Sequence, residues 1–203
     1  MRENARRQEL TDAGPEITPL AFVPKRLFFT KGVGAHEQQR VAMHHALRDA
    51  GVSDCNLVKV SSVIPPGCRI ISRREGVKLL QPGNIVFAVI ATSETNEPHQ
   101  RATVALGWAT PEQDGVPGYI AEIEEEQAKG KSAKSAGDEV GQVALTLVAE
   151  KLQTRIDSKS LWARSKRVHR IGGTTVHCGC ITSTIIGDEK ERYLSAVALA
   201  LYV

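Results

Sequence analysis

A nearly continuous apolar run, residues 84–92 with the sequence NIVFAVIAT, is the feature that most limits how this chain can fold. It follows the turn-forming pair Pro82-Gly83. Side chains of a strand alternate between its two faces, so an apolar run without alternation is typical of a strand that is buried on both faces. The sheet that contains this segment therefore needs further layers of structure on both of its sides.

Weaker patterns along the chain predict more strands and two long helices. Short runs rich in β-branched and apolar residues predict strands at 27–30, 56–61, 103–109, 119–123, 174–186 and 195–203. Apolar residues at helical spacing predict helices over 36–50 and 138–153, and Asp138 is placed to cap the second. The small polar residues 127–137 predict a flexible loop, and the sequence KGVG at 31–34 predicts a turn.

The order of these elements favours an α+β fold in one domain, a layered sandwich with helices between groups of strands. The charged residues 1–18, which include Gly14 and Pro15, predict a mobile leader. Residues 19–203 are then predicted to form the domain.

Composition excludes several classes of partner. The 203 residues carry 26 Lys and Arg against 23 Asp and Glu, and a net charge of +3 is too small for a nucleic-acid footprint. The densest basic run, within 164–170, is predicted to be a solvated face or loop. No segment approaches the ~18 apolar residues of a membrane span, and the polar N-terminus does not resemble a secretory signal. Four cysteines without such a signal indicate reduced thiols in a cytoplasm.

The segment at 56–70, NLVKVSSVIPPGCRI, has two adjacent serines between a predicted strand and a rigid Pro-Pro-Gly. The residues alone favour an ordinary strand that leaves its sheet through a turn. They also permit a specific reaction, in which the Ser62 hydroxyl attacks the Ser61 carbonyl and converts the amide to an ester. β-Elimination then cuts the chain and leaves a dehydroalanine, which hydrolyses to a reactive pyruvoyl ketone.

This segment closely resembles the self-processing site of pyruvoyl-dependent arginine decarboxylases. FFTKGVGAH, HALRDAG, PGNIVFAVIA, TNEP and GYIAE are also similar to that family and occur in the expected order, over about residues 22–152. The resemblance implies a layered αββα sandwich that cuts itself into fragments 1–61 and 62–203. It also implies trimers of cleaved protomers, with active sites between neighbouring subunits, that convert L-arginine to agmatine for polyamine synthesis.

The resemblance also assigns roles to individual residues. Ser61 and Ser62 match the scissile pair, and Ser62 is the implied precursor of the covalent pyruvoyl cofactor. Asn56 matches an asparagine near the ketone, and Glu122 matches the proton donor. A ketone of this kind binds the substrate amine and withdraws electrons as CO2 leaves, and a buried carboxyl group can then protonate the α-carbon. The other interpretation of Glu122 is a surface acid that begins an acidic cluster.

In the family, an acidic residue on the early helix pairs with the substrate guanidinium. The chain departs from this pattern, because it has His44 at that position. An imidazole cannot reproduce a bidentate carboxylate–guanidinium pair. Asp49, Asp54 and Glu37 are possible replacements. We still expect arginine to be preferred over lysine and ornithine. If His44 occupies the position of the main partner, His44→Asp is expected to lower the Michaelis constant for arginine.

Two other functions stay open from the sequence. One is a pyruvoyl decarboxylase of another amino acid, and the other is an uncleaved homologue that serves as an oligomeric binding module. His177, Cys178 and Cys180 include zinc-type ligands. On a strand, however, the two cysteines share one face and His177 takes the other, which favours structural cysteines and no metal. Trp108 and Trp162 are predicted to be core or interface residues.

Overall fold

The computed structural model describes residues 22–163 and 166–203, so the predicted leader at 1–18 lies outside the described residues. The chain forms one domain of mixed α and β structure, and its elements in chain order are β1 (Arg26–His36), α1 (Gln39–Ala50), β2 (Asn56–Lys59), β3 (Val63–Ile64), β4 (Arg69–Ile71), α2 (Arg73–Val77), β5 (Ile85–Thr95), β6 (Arg101–Pro111), β7 (Gly118–Ile123), α3 (Glu125–Ala128), α4 (Ala133–Lys151), α5 (Ser158–Leu161), β8 (Val168–Ile171), β9 (Thr174–Ile186) and β10 (Tyr193–Tyr202).

The strands form two five-stranded sheets. The first sheet has the order β2-β5-β10-β1-β4, and the second has the order β3-β7-β6-β9-β8. In the first sheet, β10 is antiparallel to both β1 and β5, while β2 runs parallel to β5. In the second, β6 is antiparallel to both β7 and β9. The short connection from β2 to β3 therefore crosses from one sheet to the other.

The apolar run lies in β5 and is buried on both faces from Ala88 onward, as its sequence predicts, whereas Ile85 and Phe87 at its start are 70% and 38% exposed. Ala88 and Val89 are adjacent and both are 0% exposed. Ala88 belongs to an apolar cluster with Ala46 of α1, whereas Val89 belongs to a larger cluster with Leu106 of the second sheet. The strand is thus covered on one side by a helix and on the other by the second sheet.

The turn predicted at 31–34 is wrong, because these residues lie inside β1. Gly32 pairs with Val197 of β10, and Gly34 pairs with Ser195. A Cβ atom at Gly32 would collide with the backbone carbonyl of Ala46 on α1. These glycines therefore serve the close approach of a helix to a strand and not a turn.

The flexible loop predicted over 127–137 is also wrong. Part of this segment belongs to α3, and α4 begins at Ala133. The side chain of Ser132 caps α4 by accepting a hydrogen bond from the Ser135 amide, so Asp138 is not the cap. Asp138 instead accepts a hydrogen bond from the indole Nε1 of Trp162 at 3.1 Å. Small residues here allow close packing, and Ala136 is fully buried.

The predicted strands at 174–186 and 195–203 are confirmed, whereas β8 was not predicted from the sequence. Within the basic run, Lys166, Arg167 and Arg170 are exposed, but His169 is buried in β8 at 2% exposure. Burial lowers the pKa of His169. Trp162 belongs to the main core cluster, which agrees with its predicted place. Every helix within residues 22–163 and 166–203 is too short or too polar to span a membrane.

Candidate active site

The serine pair lies at the point where the chain passes from the first sheet to the second. The strand predicted to reach Ser61 ends at Lys59, and β3 begins at Val63. The Val63 amide donates to the Ser61 carbonyl at 3.0 Å, which closes a three-residue turn centred on Ser62. The Pro-Pro-Gly that follows ends regular pairing, and its turn is closed by the Cys68 amide donating to the Pro65 carbonyl.

The C-terminal side of this turn is held by hydrogen bonds from the surrounding strands. The Ile120 amide of β7 donates to the Ser62 carbonyl at 2.9 Å. The Tyr202 hydroxyl at the end of β10 donates to the Val63 carbonyl at 2.8 Å. Burial raises the pKa of Tyr202, so its hydroxyl remains a donor at neutral pH. One bond comes from each sheet, and together they fix the backbone on the C-terminal side of the scissile bond.

Glu122 faces Ser62 directly. Ser62 Oγ donates to Glu122 Oε2 at 2.7 Å, although 60 residues separate the two in sequence. Glu122 lies on β7 opposite Leu106 of β6 and is half-buried. Glu124 behaves differently, because it forms an ion pair with Lys59 at 2.8 Å and raises the pKa of that lysine. The two acids, which are close in sequence, therefore have separate partners.

Two cavities border the serine pair, one on each side. Ser61 lines an apolar cavity of about 320 Å³ with Phe22, Pro24, Val60, Val63, Pro65, Phe87 and Tyr202. Ser62 and Glu122 line a second cavity of about 380 Å³, which we call the α4 cavity because α4 forms one of its walls. Its other lining residues are Ile120, Ala121, Ile123, Gln127, Glu139, Val140, Val143 and Leu147.

The structure does not bring Asn56 and His44 together with the serines in the described part of one chain. Asn56 begins β2, and its side-chain amide donates to the Gly83 carbonyl at 3.1 Å. His44 is exposed on α1, which packs on the first sheet, and its ring lies 6.5 Å from that of His45. Asp49, a suggested replacement for the missing acid, accepts a hydrogen bond from the Val33 amide at 2.9 Å.

Sequence reasoning missed Tyr202, Gln127 and Glu139. Glu139, Val143 and Leu147 recur every four residues, so helical spacing places them on one face of α4. That spacing does not reveal which strand the face meets. Tyr202 carries no local signal either, because it reaches Val63 from the end of the last strand.

The cysteines show no site of their own. All four are free thiols. Cys178 lies in β9 and its Sγ donates to the Lys166 carbonyl at 3.6 Å, while burial raises the pKa of this thiol to about 11. Metal ligation requires the thiolate, which this environment disfavours. Within the described residues, no group of three or more His, Cys, Asp or Glu side chains could hold a metal ion.

Comparison with known proteins identifies a single family. Residues 26–203 match the family model described as pyruvoyl-dependent arginine decarboxylase. This match covers both sheets and all the helices described above.

Curated relatives agree with that match. The chain is 37% identical over 186 residues to the pyruvoyl-dependent arginine decarboxylase of Methanococcoides burtonii, covering 90% of this chain and 99% of the relative. It is 36% identical to the probable pyruvoyl-dependent arginine decarboxylase of Chloroherpeton thalassium, covering 90% and 98%. It is 34% identical to the pyruvoyl-dependent arginine decarboxylase of Nitrosopumilus maritimus, also covering 90% and 98%.

Proposed function

The chain belongs to the pyruvoyl-dependent arginine decarboxylase family, and from this premise we propose that it cleaves itself and converts L-arginine to agmatine and CO2 in polyamine synthesis. The hydrogen bond of 2.7 Å between Ser62 Oγ and Glu122 Oε2 carries the proposal. It joins the two groups that the reaction requires, the precursor of the ketone and a carboxyl group that can deliver a proton.

Self-processing begins when Ser62 Oγ attacks the carbonyl carbon of Ser61. The C–N bond breaks as the ester C–O bond forms, and the hydroxyl proton is transferred to the departing amine. The Val63 amide, which already donates to the Ser61 carbonyl oxygen, stabilises the negative charge that develops there. Elimination then frees residue 61 as a carboxylate and leaves dehydroalanine at residue 62. Hydrolysis of that residue releases ammonia and leaves the pyruvoyl group.

Membership of the family implies a covalently bound pyruvoyl group, and the residues present fit one. Ser62 supplies its carbon atoms, adjoins the carboxyl group of Glu122 and lines the α4 cavity, which has room for a substrate. Such a group supplies a ketone that binds the substrate amine covalently and withdraws electrons as CO2 leaves.

Glu122 is the proposed proton donor to the substrate α-carbon. Its backbone is fixed by pairing with β6, and its carboxyl group lies at the position where the reaction begins. General acid catalysis by a positioned side chain typically contributes about 100- to 10,000-fold. Asn56 keeps the role that the family resemblance gives it, near the ketone, and His44 occupies the position of the family's acidic residue without its negative charge.

We propose four layers in the order αββα for the domain over 19–203, cut into fragments 1–61 and 62–203. Packing of α1 on the first sheet and of α4 on the second supports this order. We also propose that cleaved protomers assemble as trimers in the cytoplasm. Exposed apolar side chains that line the Ser61 cavity, including Phe22 at 61% and Val63 at 46%, support an interface there.

The test is intact mass after expression, followed by CO2 release from a panel of amino acids. We expect fragments 1–61 and 62–203, with a pyruvoyl group at residue 62, and activity with arginine above lysine and ornithine. A chain that stays uncut at 203 residues would overturn the proposed self-processing. A cleaved protein that prefers another amino acid would overturn the arginine assignment and leave the reaction type in place.

A further inference from the structure

We propose that Glu139 on α4 determines substrate specificity by binding the cationic end of the amino acid, in place of the acidic residue that His44 displaces. This inference rests on the proposed function. It concerns a residue outside every motif that carries the family resemblance, and it predicts a substrate with a planar guanidinium group.

The position of Glu139 is fixed by close packing of α4 on β6. A Cβ atom at Gly107 would lie 2.5 Å from the carbonyl carbon of Val140, so this helix can rest there only because residue 107 is glycine. Gly107 pairs with Ala121 of β7, the neighbour of Glu122. The helix turn that carries Glu139 is therefore held beside the strand that carries the proposed proton donor.

The α4 cavity has the chemistry that an arginine side chain requires. Ser62 and Glu122 lie on its β3–β7 side, and Glu139 and Gln127 add polar groups elsewhere on its lining. The remaining lining is apolar and suits the three methylene groups between the α-carbon and the guanidinium; it comprises Ile120, Ala121, Ile123, Val140, Val143 and Leu147.

Glu139 already binds a cation in the free chain. Lys131 Nζ donates to Glu139 Oε2, and the two side chains are 28% and 49% exposed. Ion pairs with this much exposure contribute little to stability, so an incoming cation can share or replace the lysine. Among the described residues, no side chain donates a hydrogen bond to the second oxygen, Oε1.

A guanidinium fits this arrangement better than an ammonium does. Its five N–H donors lie in one plane and can bind more than one acceptor at once, such as the carboxylate and amide oxygens of this cavity, whereas an ammonium is a compact point charge. An ammonium would also compete with Lys131 for the same oxygen. The geometry therefore favours arginine over lysine and ornithine without an acid at position 44.

The experiment measures the Michaelis constant and turnover of fully cleaved Glu139→Gln with arginine. The matched control is Glu150→Gln, an exposed acid on the same helix that does not line the cavity. Loss of a charge-assisted hydrogen bond predicts a rise of about 10- to 100-fold in the Michaelis constant with turnover nearly unchanged. We expect Glu150→Gln to behave as the wild type and Glu139→Asp to recover part of the loss.

Lys131→Met provides a second readout that a purely structural role of Glu139 does not predict. Removing the competing ammonium is expected to lower the Michaelis constant for arginine. If the wild type is active with arginine and Glu139→Gln leaves its Michaelis constant unchanged, this inference is wrong and the proposed function stands. If the wild type does not decarboxylate arginine at all, the proposed function fails and this inference fails with it.

Discussion

The contact of α1 with β1 and the contact of α4 with β6 are built in the same way, yet only the second borders the reacting serine. In each, a strand glycine lets a helix backbone approach closely: Gly32 lies under Ala46, and Gly107 lies under Val140. The α1 contact buries small side chains at its centre, Ala42, Ala46 and Ala50, and the cleft of about 390 Å³ at its edge contains no residue of the serine segment. The α4 contact continues past its glycine into a cavity of about 380 Å³.

The difference follows from the strands that lie beside each glycine. Gly32 is on β1, between the long β10 and the short β4, and its side of the sheet is filled by α1 and α2. Gly107 is on β6, and beyond its neighbour β7 the sheet ends in β3, which has only two residues. Ser62 immediately precedes β3, so it lies at the edge of the sheet that α4 covers. The same packing device thus borders a cleft without the serine segment in one half of the molecule and the reacting serine in the other.

The largest expected effect is that of Ser62→Ala in the α4 half. Without the hydroxyl group no ester forms, so the chain should remain uncut and show no decarboxylase activity. Intact mass and CO2 release measure these two outcomes. Ser61→Ala is the matched control, because only its backbone carbonyl takes part, and it should still cleave. An alanine variant at position 62 that splits after residue 61 would contradict the proposed chemistry.

Glu122→Gln is expected to cleave itself but to decarboxylate about 100- to 10,000-fold more slowly. The amide oxygen can still accept the Ser62 hydrogen bond, but the side chain can no longer deliver a proton. Turnover of the fully cleaved variant is the measurement. Glu124→Gln, which loses only the ion pair to Lys59, should retain most of the activity. Near-normal turnover in Glu122→Gln would assign protonation to another group or to water.

Substitution of the two glycines compares the two contacts directly. Gly32→Ala and Gly107→Ala each place a Cβ atom against helix backbone, so each should lower the free energy of unfolding by about 1–3 kcal/mol. Only Gly107→Ala displaces α4 from the site, and a displacement of 1 Å can reduce the rate by about 100-fold. Denaturant midpoints in an uncleaved Ser62→Ala background and kcat/KM in the cleaved enzyme test the two effects. Equal losses of activity in both variants would show that the halves are not independent.

Much of this fold follows from local sequence patterns, whereas the contacts of the site do not. The run in β5 predicts a strand buried on both faces because nearly every position is apolar, and the structure confirms this from Ala88 onward, although Ile85 and Phe87 are exposed. The glycines of β1 suggested a turn because their role depends on α1, which packs on them from a later part of the chain. The Ala- and Ser-rich start of α4 was interpreted as a loop, since its burial depends on sheet contacts that spacing cannot reveal.

The same limit applies to the functional residues. Ser61, Ser62 and Glu122 are predicted as site residues because their local sequences resemble a known family. Their contact could not be derived from the residues alone, since 60 positions separate the hydroxyl group from the carboxylate. Glu139 has no such motif. Its relevance appears only when Gly107 places α4 over the strand next to β7.

His44→Asp gives the smallest expected effect and tests whether the α1 half reaches the substrate. The sequence alone predicts that this change improves arginine binding if position 44 holds the main partner of the guanidinium. The structure places His44 exposed on α1, away from both cavities that border the serines.

With Glu139 as the partner, the Michaelis constant of His44→Asp for arginine should change by less than about fivefold, because an exposed charge pair contributes only ~0–1 kcal/mol. Steady-state kinetics of cleaved wild type and variant on arginine, lysine and ornithine provide the measurement. A decrease of tenfold or more for arginine alone would show that α1 of a neighbouring copy completes the site, and the separation of the two halves would then hold only within one protomer.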